Sequence, residues 1–142
     1  MPNKLEAVTQ EQNVKFKILV VDDDPNLRVL LRQMLGLRGF DVVEAEDGLD
    51  ALAKVEEAEP DVVVLDVMMP DMDGIAVCKR LRHQPKTANL PIIMLSGKVH
   101  PEAIKEGLMA GADKYLRKPI PLADLISNIR EVLPKFVSVP MG

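Results

Sequence analysis

Four places along these 142 residues could do chemistry. Asp22, Asp23 and Asp24 follow one another directly, Asp66 stands in LDVMMPDMDG, Ser96 precedes Gly97, and Lys118 precedes Pro119. Carboxylates brought close together repel and resist ionising as a group. A divalent cation relieves that repulsion. Oxygen ligands without His or thiolate favour a hard ion, Mg²⁺ first and Mn²⁺ second. An ion held by only two or three protein oxygens keeps its other positions for water and a phosphate oxygen. A lysine opposite it neutralises further phosphate charge, and a hydroxyl donates a hydrogen bond. This is equipment for phosphoryl transfer. An Asp can itself be the nucleophile, giving an acyl phosphate.

The elements that must gather these groups are legible as alternating patterns. Phe16 to Val21, Val62 to Leu65 and Ile92 to Leu95 are unbroken apolar runs, with weaker candidates at Phe40 to Val43 and Ala112 to Leu116. Such runs suit strands buried on both faces of a parallel sheet. Between them, Leu27, Leu30, Leu31, Met34 and Leu35 mark one helical face, with Asp24 as cap, Pro25 as first residue and Gly39 beyond the end. Leu122, Leu125, Ile126, Ile129 and Leu133 repeat the pattern between Pro121 and Pro134. Ala51 to Glu57, Ile75 to Leu81 and Pro101 to Ala110 are predicted to be the remaining helices. Five strands alternating with five helices give an α/β fold with a parallel sheet. Ligands then bind beyond the carboxyl ends of the strands, where Asp22 to Asp24, Asp66, Ser96 and Lys118 all fall.

The composition bounds the rest. The length suits one domain of about 100–150 residues. We expect a lead-in at 1–14, a domain at 15–134, and a tail or the start of a linker at 135–142. A net charge of −4 opposes direct nucleic-acid binding by this chain, since phosphate contacts need Lys and Arg in excess. The single Cys78 allows no intramolecular disulfide and fits a reducing compartment. No apolar run approaches the ~20 residues of a membrane span. The expected location is the cytoplasm.

FKILVVDDDP, VVVLDVMMPDMDG, IIMLSG and GADKYLRKPI, in that order, resemble the receiver domain of bacterial two-component response regulators. The resemblance covers residues 16–134. It implies a doubly wound five-stranded parallel sheet of flavodoxin-like order 2-1-3-4-5 with five helices. Asp66 matches the phosphoacceptor. Asp22 and Asp23 match the acidic pair, Asp23 as direct Mg²⁺ ligand and Asp22 partly through water, with the backbone carbonyl of Met68 completing the metal site. Ser96 matches the switch hydroxyl, Tyr115 the aromatic that moves with it, and Lys118 the lysine on the phosphoryl oxygens, followed by a cis Lys118–Pro119 bond. Met68 and Lys98 match positions that tune hydrolysis of the acyl phosphate. The implied partners are a sensor histidine kinase or phosphotransfer protein and an unidentified effector or attached output domain. The implied output surface is the fourth helix, fifth strand and fifth helix. Lys114 and Asn128 stand where winged-helix regulators place an acid and an Arg in their dimer face. The chain is read as a monomer or a phosphorylation-dependent dimer, stand-alone or cut from a longer regulator.

Blander roles suit other residues. Asp24 is a cap, Asp71 and Asp73 are turn and cap residues, Cys78 is a buried helix residue, and Met68, Met69, Met72 and Met94 fill gaps. His83 and His100 lack partners at metal-site spacing. A phosphatase of the haloacid dehalogenase type needs a second Asp two residues after the first, where Met68 stands. The chain is therefore read as a self-catalysed switch without turnover. A dinucleotide binder needs a G-x-G-x-x-G after the first strand, and none is present. A scaffold that never sees phosphate would not need the full set. Repulsion within the acid cluster implies that Asp22→Asn or Asp23→Asn raises the melting temperature in metal-free buffer.

Overall fold

The computed structural model describes residues 15–134, so the expected lead-in and tail lie outside the described residues. The order is β1 (Lys17–Val21), α1 (Pro25–Leu37), β2 (Asp41–Ala45), α2 (Gly48–Ala58), β3 (Val62–Leu65), α3 (Gly74–Arg82), β4 (Ile92–Ser96), α4 (Pro101–Ala110), β5 (Lys114–Arg117) and α5 (Leu122–Val132). The strands form one parallel sheet in the order β2-β1-β3-β4-β5. The chain leaves β1 for β2 on one side and returns to β3 on the other. The direction of winding therefore reverses between β1 and β3, which is where such sheets bind ligands.

Alternate residues of each strand face opposite layers. Leu19, Val21, Val63, Leu65, Ile92 and Met94 pack with Ala51 and Val55 of α2 and Ile75, Val77, Cys78 and Leu81 of α3. Ile18, Val20, Val62, Val64, Ile93 and Leu95 pack with Leu31 and Leu35 of α1 and Leu125, Ile126 and Ile129 of α5. The central strands are buried on both faces, which is why they read as unbroken apolar runs.

The helices begin where side chains satisfy their free N–H groups. Asp24 accepts from Asn26 N, Asp47 from Asp50 N at 2.8 Å, and Asp73 from Ala76 N. His100 caps α4 by accepting from Ala103 N through Nδ1. Gly39 follows α1 with φ 92°, a left-handed turn suited to glycine.

The outer strands depart from their predicted limits. The second was expected over Phe40 to Val43, but runs Asp41–Ala45. The fifth was expected over Ala112 to Leu116, but runs Lys114–Arg117. Edge strands are covered on fewer sides, so polar residues such as Glu44 and Arg117 continue the ladder past the apolar run. Ala112 and Asp113 instead form the turn out of α4. There the Asp113 carboxylate accepts from Ile92 N at 2.8 Å.

Two leucines of α1 separate packing from pattern. Leu35 is 0% exposed and Leu37 is 86% exposed. We expect Leu35→Ala to cost about 2–5 kcal/mol in urea unfolding, whereas Leu37→Ala should stay within ~0.5 kcal/mol of wild type.

Candidate functional site

Val21 of β1 is in register with Leu65 of β3. The next residues, Asp22 and Asp66, therefore leave neighbouring strands side by side. The ladder extends one step to hold them: Asp66 N donates to Val21 O at 2.9 Å, and Asp22 N to Ala45 O at 3.2 Å. The carboxylates of Asp22, Asp23 and Asp66 lie within 4.8 Å of one another. Asp22 and Asp66 are buried, while Asp23 is exposed. This is an acidic pocket with the donor chemistry of a hard divalent cation.

Lys118 enters from the far side of the sheet. Ser96 pairs with Arg117, and Lys118 N donates to Ser96 O at 2.9 Å. The Lys118 ammonium donates to Asp22 Oδ2 at 2.6 Å and lies 3.4 Å from Asp66 Oδ2. The Lys118–Pro119 bond is cis. Burial alone would lower the lysine's pKa. Its hydrogen bond to Asp22 and the charges of Asp66 and Asp22 outweigh that and hold it above the ordinary value. Burial, then the charge of Asp22, pushes the Asp66 carboxyl up, while Lys118 and the Met68 N–H oppose the rise.

Both oxygens of Asp66 are engaged, since Oδ1 also accepts from Met68 N at 3.3 Å. The Met68 side chain is 59% exposed, which corrects its reading as a gap-filler. The loop after β3 turns outward, so this side chain meets solvent while its backbone stays at the site. Met69 and Met94 are buried as expected of packing residues.

Ser96 is fully buried, and its Oγ accepts from Lys98 N at 3.0 Å. Tyr115 OH donates to the carbonyl of the same Lys98. The tyrosine ring lies against α4, where a Cβ on Gly107 would come within 2.7 Å of it. The two expected switch residues thus meet at one backbone segment. Asp24 caps α1 and Cys78 is buried, its thiol pKa raised by that burial.

Two contributors carried too weak a signal to single out from the sequence. A Cβ on Gly74 would sit 2.3 Å from Asp66 O, so only glycine lets α3 start against the Asp66 backbone. The Asp-Gly pair pointed to a turn but not to this approach. Arg28 donates through Nη1 to the Asp22 carbonyl at 2.6 Å, a contact that no spacing along one helix reveals.

Fold and site together define a flavodoxin-like domain of the CheY type. The response regulator receiver domain profile matches residues 18–130. The chain is 36% identical over 126 residues to the "DNA-binding dual master transcriptional regulator RpaA" of Synechocystis, covering 89% of this chain and 52% of that protein. It is 44% identical over 117 residues to the response regulator MprA of a Mycobacterium species, covering 82% of this chain and 50% of that protein. The chemotaxis protein CheY4 of Vibrio cholerae superposes with a TM-score of 0.80 at 37% identity, covering 84% of this chain and all of that one. The chain belongs to the response regulator receiver domain family of two-component signalling, and it spans about half the length of the curated relatives it matches.

The geometry divides the three acids. In metal-free buffer Asp66→Asn should raise the melting temperature by a few degrees, the shift that ~1 kcal/mol produces in a domain of this size. A raised carboxyl pKa favours the protonated folded state. The advantage of Asn is therefore full above that raised value and fades as pH falls from it to 3.8, the ordinary value. For Asp22 the structure reverses the expectation drawn from repulsion. Its carboxylate carries the lysine, so Asp22→Asn should cost roughly 1–2 kcal/mol. Asp23, exposed and without an ion pair among the described residues, should still gain on conversion to Asn. Thermal melts of the three variants from pH 4 to pH 8 check all three signs.

Proposed function

We propose that this chain is a phosphoacceptor switch with Asp66 as the site of phosphorylation. The observation that carries this reading is the Lys118 ammonium set between Asp22 and Asp66, with three carboxylates within 4.8 Å. Asp22, Asp23, Asp66 and the Met68 carbonyl would hold Mg²⁺, or Mn²⁺, which when bound neutralises charge on the phosphoryl oxygens. Asp66 is the nucleophile. One of its oxygens attacks phosphorus of a kinase or phosphotransfer phosphohistidine, the P–N bond breaks, and its electron pair leaves with the imidazole. Asp66 then bears an acyl phosphate, which water hydrolyses to inorganic phosphate and the free carboxylate. Lys118 draws the phosphoryl oxygens toward the Asp22 side. The domain performs both steps on itself and turns over no diffusible substrate.

The signal leaves through Ser96 and Tyr115. A phosphoryl oxygen that accepts from the Ser96 hydroxyl and draws it inward pulls Oγ away from the Lys98 N–H that now donates to it. The Lys98 carbonyl, which holds Tyr115, shifts in turn. Tyr115 packs on Gly107, so the change reaches the α4–β5–α5 surface. Taking such a two-state element from mostly off to mostly on needs about 5.5 kcal/mol of differential stabilisation. RpaA is described as DNA-binding and this chain covers about half of it. An acidic receiver of net charge −4 leaves DNA contact to other parts of such a protein. It acts in the cytoplasm on an effector or attached output domain, as a monomer or a phosphorylation-dependent dimer.

Intact mass after incubation with acetyl phosphate tests the reading. Wild type should gain one phosphoryl group with Mg²⁺ and none without it, and Asp66→Asn should gain none. Stoichiometric labelling of Asp66→Asn would place the phosphoacceptor elsewhere.

A further inference from the structure

Asp22 is anchored at every polar atom. Its N–H donates to Ala45 O at 3.2 Å, and its carboxylate accepts from Asp24 N at 2.9 Å and from the Lys118 ammonium at 2.6 Å. Its carbonyl accepts from Arg28 Nη1 at 2.6 Å. That carbonyl belongs to the planar peptide that also carries the N–H and Cα of Asp23. One contact therefore orients the backbone of both acids.

Arg28 is itself restrained. One oxygen of Glu44 lies 3.3 Å from Arg28 Nε, and the other lies 2.9 Å from Arg32 Nε. Lys54 Nζ donates to the Glu44 carbonyl at 3.0 Å, fixing the β2 backbone below. The Arg28 side chain is 14% exposed, against 49% for Arg32. A half-buried guanidinium fixed on one side by an edge-strand acid thus presses its other end onto the Asp22–Asp23 peptide.

We propose that Arg28 is a positioning residue for the acidic pair, clamping the Asp22–Asp23 peptide so that both carboxylates are aimed at the cation. The inference rests on the phosphoacceptor reading above. Charge and geometry make opposite predictions here. A guanidinium near a cation site opposes the cation, so if only its charge mattered, removing it would tighten Mg²⁺ binding. If it aims the carboxylates, removing it weakens binding.

The test is calorimetric titration with Mg²⁺ at a temperature where circular dichroism shows each protein folded. Arg28→Ala should bind Mg²⁺ roughly 10- to 100-fold more weakly, as for other groups that orient metal ligands. Arg28→Lys keeps the charge and one donor, and should fall between Arg28→Ala and wild type. If Arg28→Ala does not fold, Arg28→Lys carries the comparison alone, because weakening with the charge kept is geometric. Arg82→Ala is the control. Arg82 donates to the Gly111, Leu90 and Thr87 carbonyls at 3.0, 2.7 and 3.2 Å, at the other end of α3 from Gly74. Its loss should lower the melting temperature and leave Mg²⁺ affinity at the wild-type value. Unchanged or tighter binding by the Arg28 variants overturns the clamp, as does equal weakening in Arg82→Ala. A wild type that binds no Mg²⁺ overturns the reading of the site itself, and this inference with it.

Discussion

Carboxylates gathered at the carboxyl ends of neighbouring strands repel one another, and here a cation of the protein itself stands between two of them. Lys118 reaches across from β5 to lie between Asp22 and Asp66. Burial of the two acids strengthens both their repulsion and their attraction to the lysine. The sheet order β2-β1-β3-β4-β5 puts Asp22 and Asp66 at the ends of adjacent strands and brings Lys118 in from the β4–β5 side. The ladder hydrogen bonds at Asp66 and Lys118 continue the strands by one residue. The site thereby inherits the rigidity of the most buried part of the molecule.

How much of this was legible depends on where each residue sits. The central strands announce themselves because both faces are covered. The candidate site residues were legible because they interrupt those runs at the carboxyl ends, where a buried Asp such as Asp66 has no packing purpose. The outer strands were misplaced by one to two residues because exposure allows polar residues into the ladder. Gly74 and Arg28 act on backbone atoms brought together by the fold. Backbone contacts of that kind leave no pattern of spacing to read. Asp22 is a subtler case: its type and place are readable in the sequence, but its 2.6 Å contact with a lysine 96 positions away, which opposes the repulsion of its fellow acids, is not.

Lys98 links two side chains through its main chain. Its N–H is held by Ser96 and its carbonyl by Tyr115. Its backbone joins a buried hydroxyl to the Tyr115 ring of β5, which packs against Gly107 of α4. The α5 side of the same region is tied differently. The Lys114 ammonium donates to Asn128 at 2.8 Å and Glu131 at 2.7 Å, fastening α5 to β5. Polar contacts thus fasten β5 to α5, while packing of Tyr115 against Gly107 joins it to α4.

The outer strands have a further consequence. An open sheet leaves two rows of unpaired N–H and C=O groups, and a flat apolar edge would invite another chain to extend it. Here the edges carry Asp41 and Glu44 on one side and Lys114 and Arg117 on the other. Each is only four or five residues long. The charges that blurred the strand limits therefore make both edges short and polar, unlike the flat apolar edge that invites pairing.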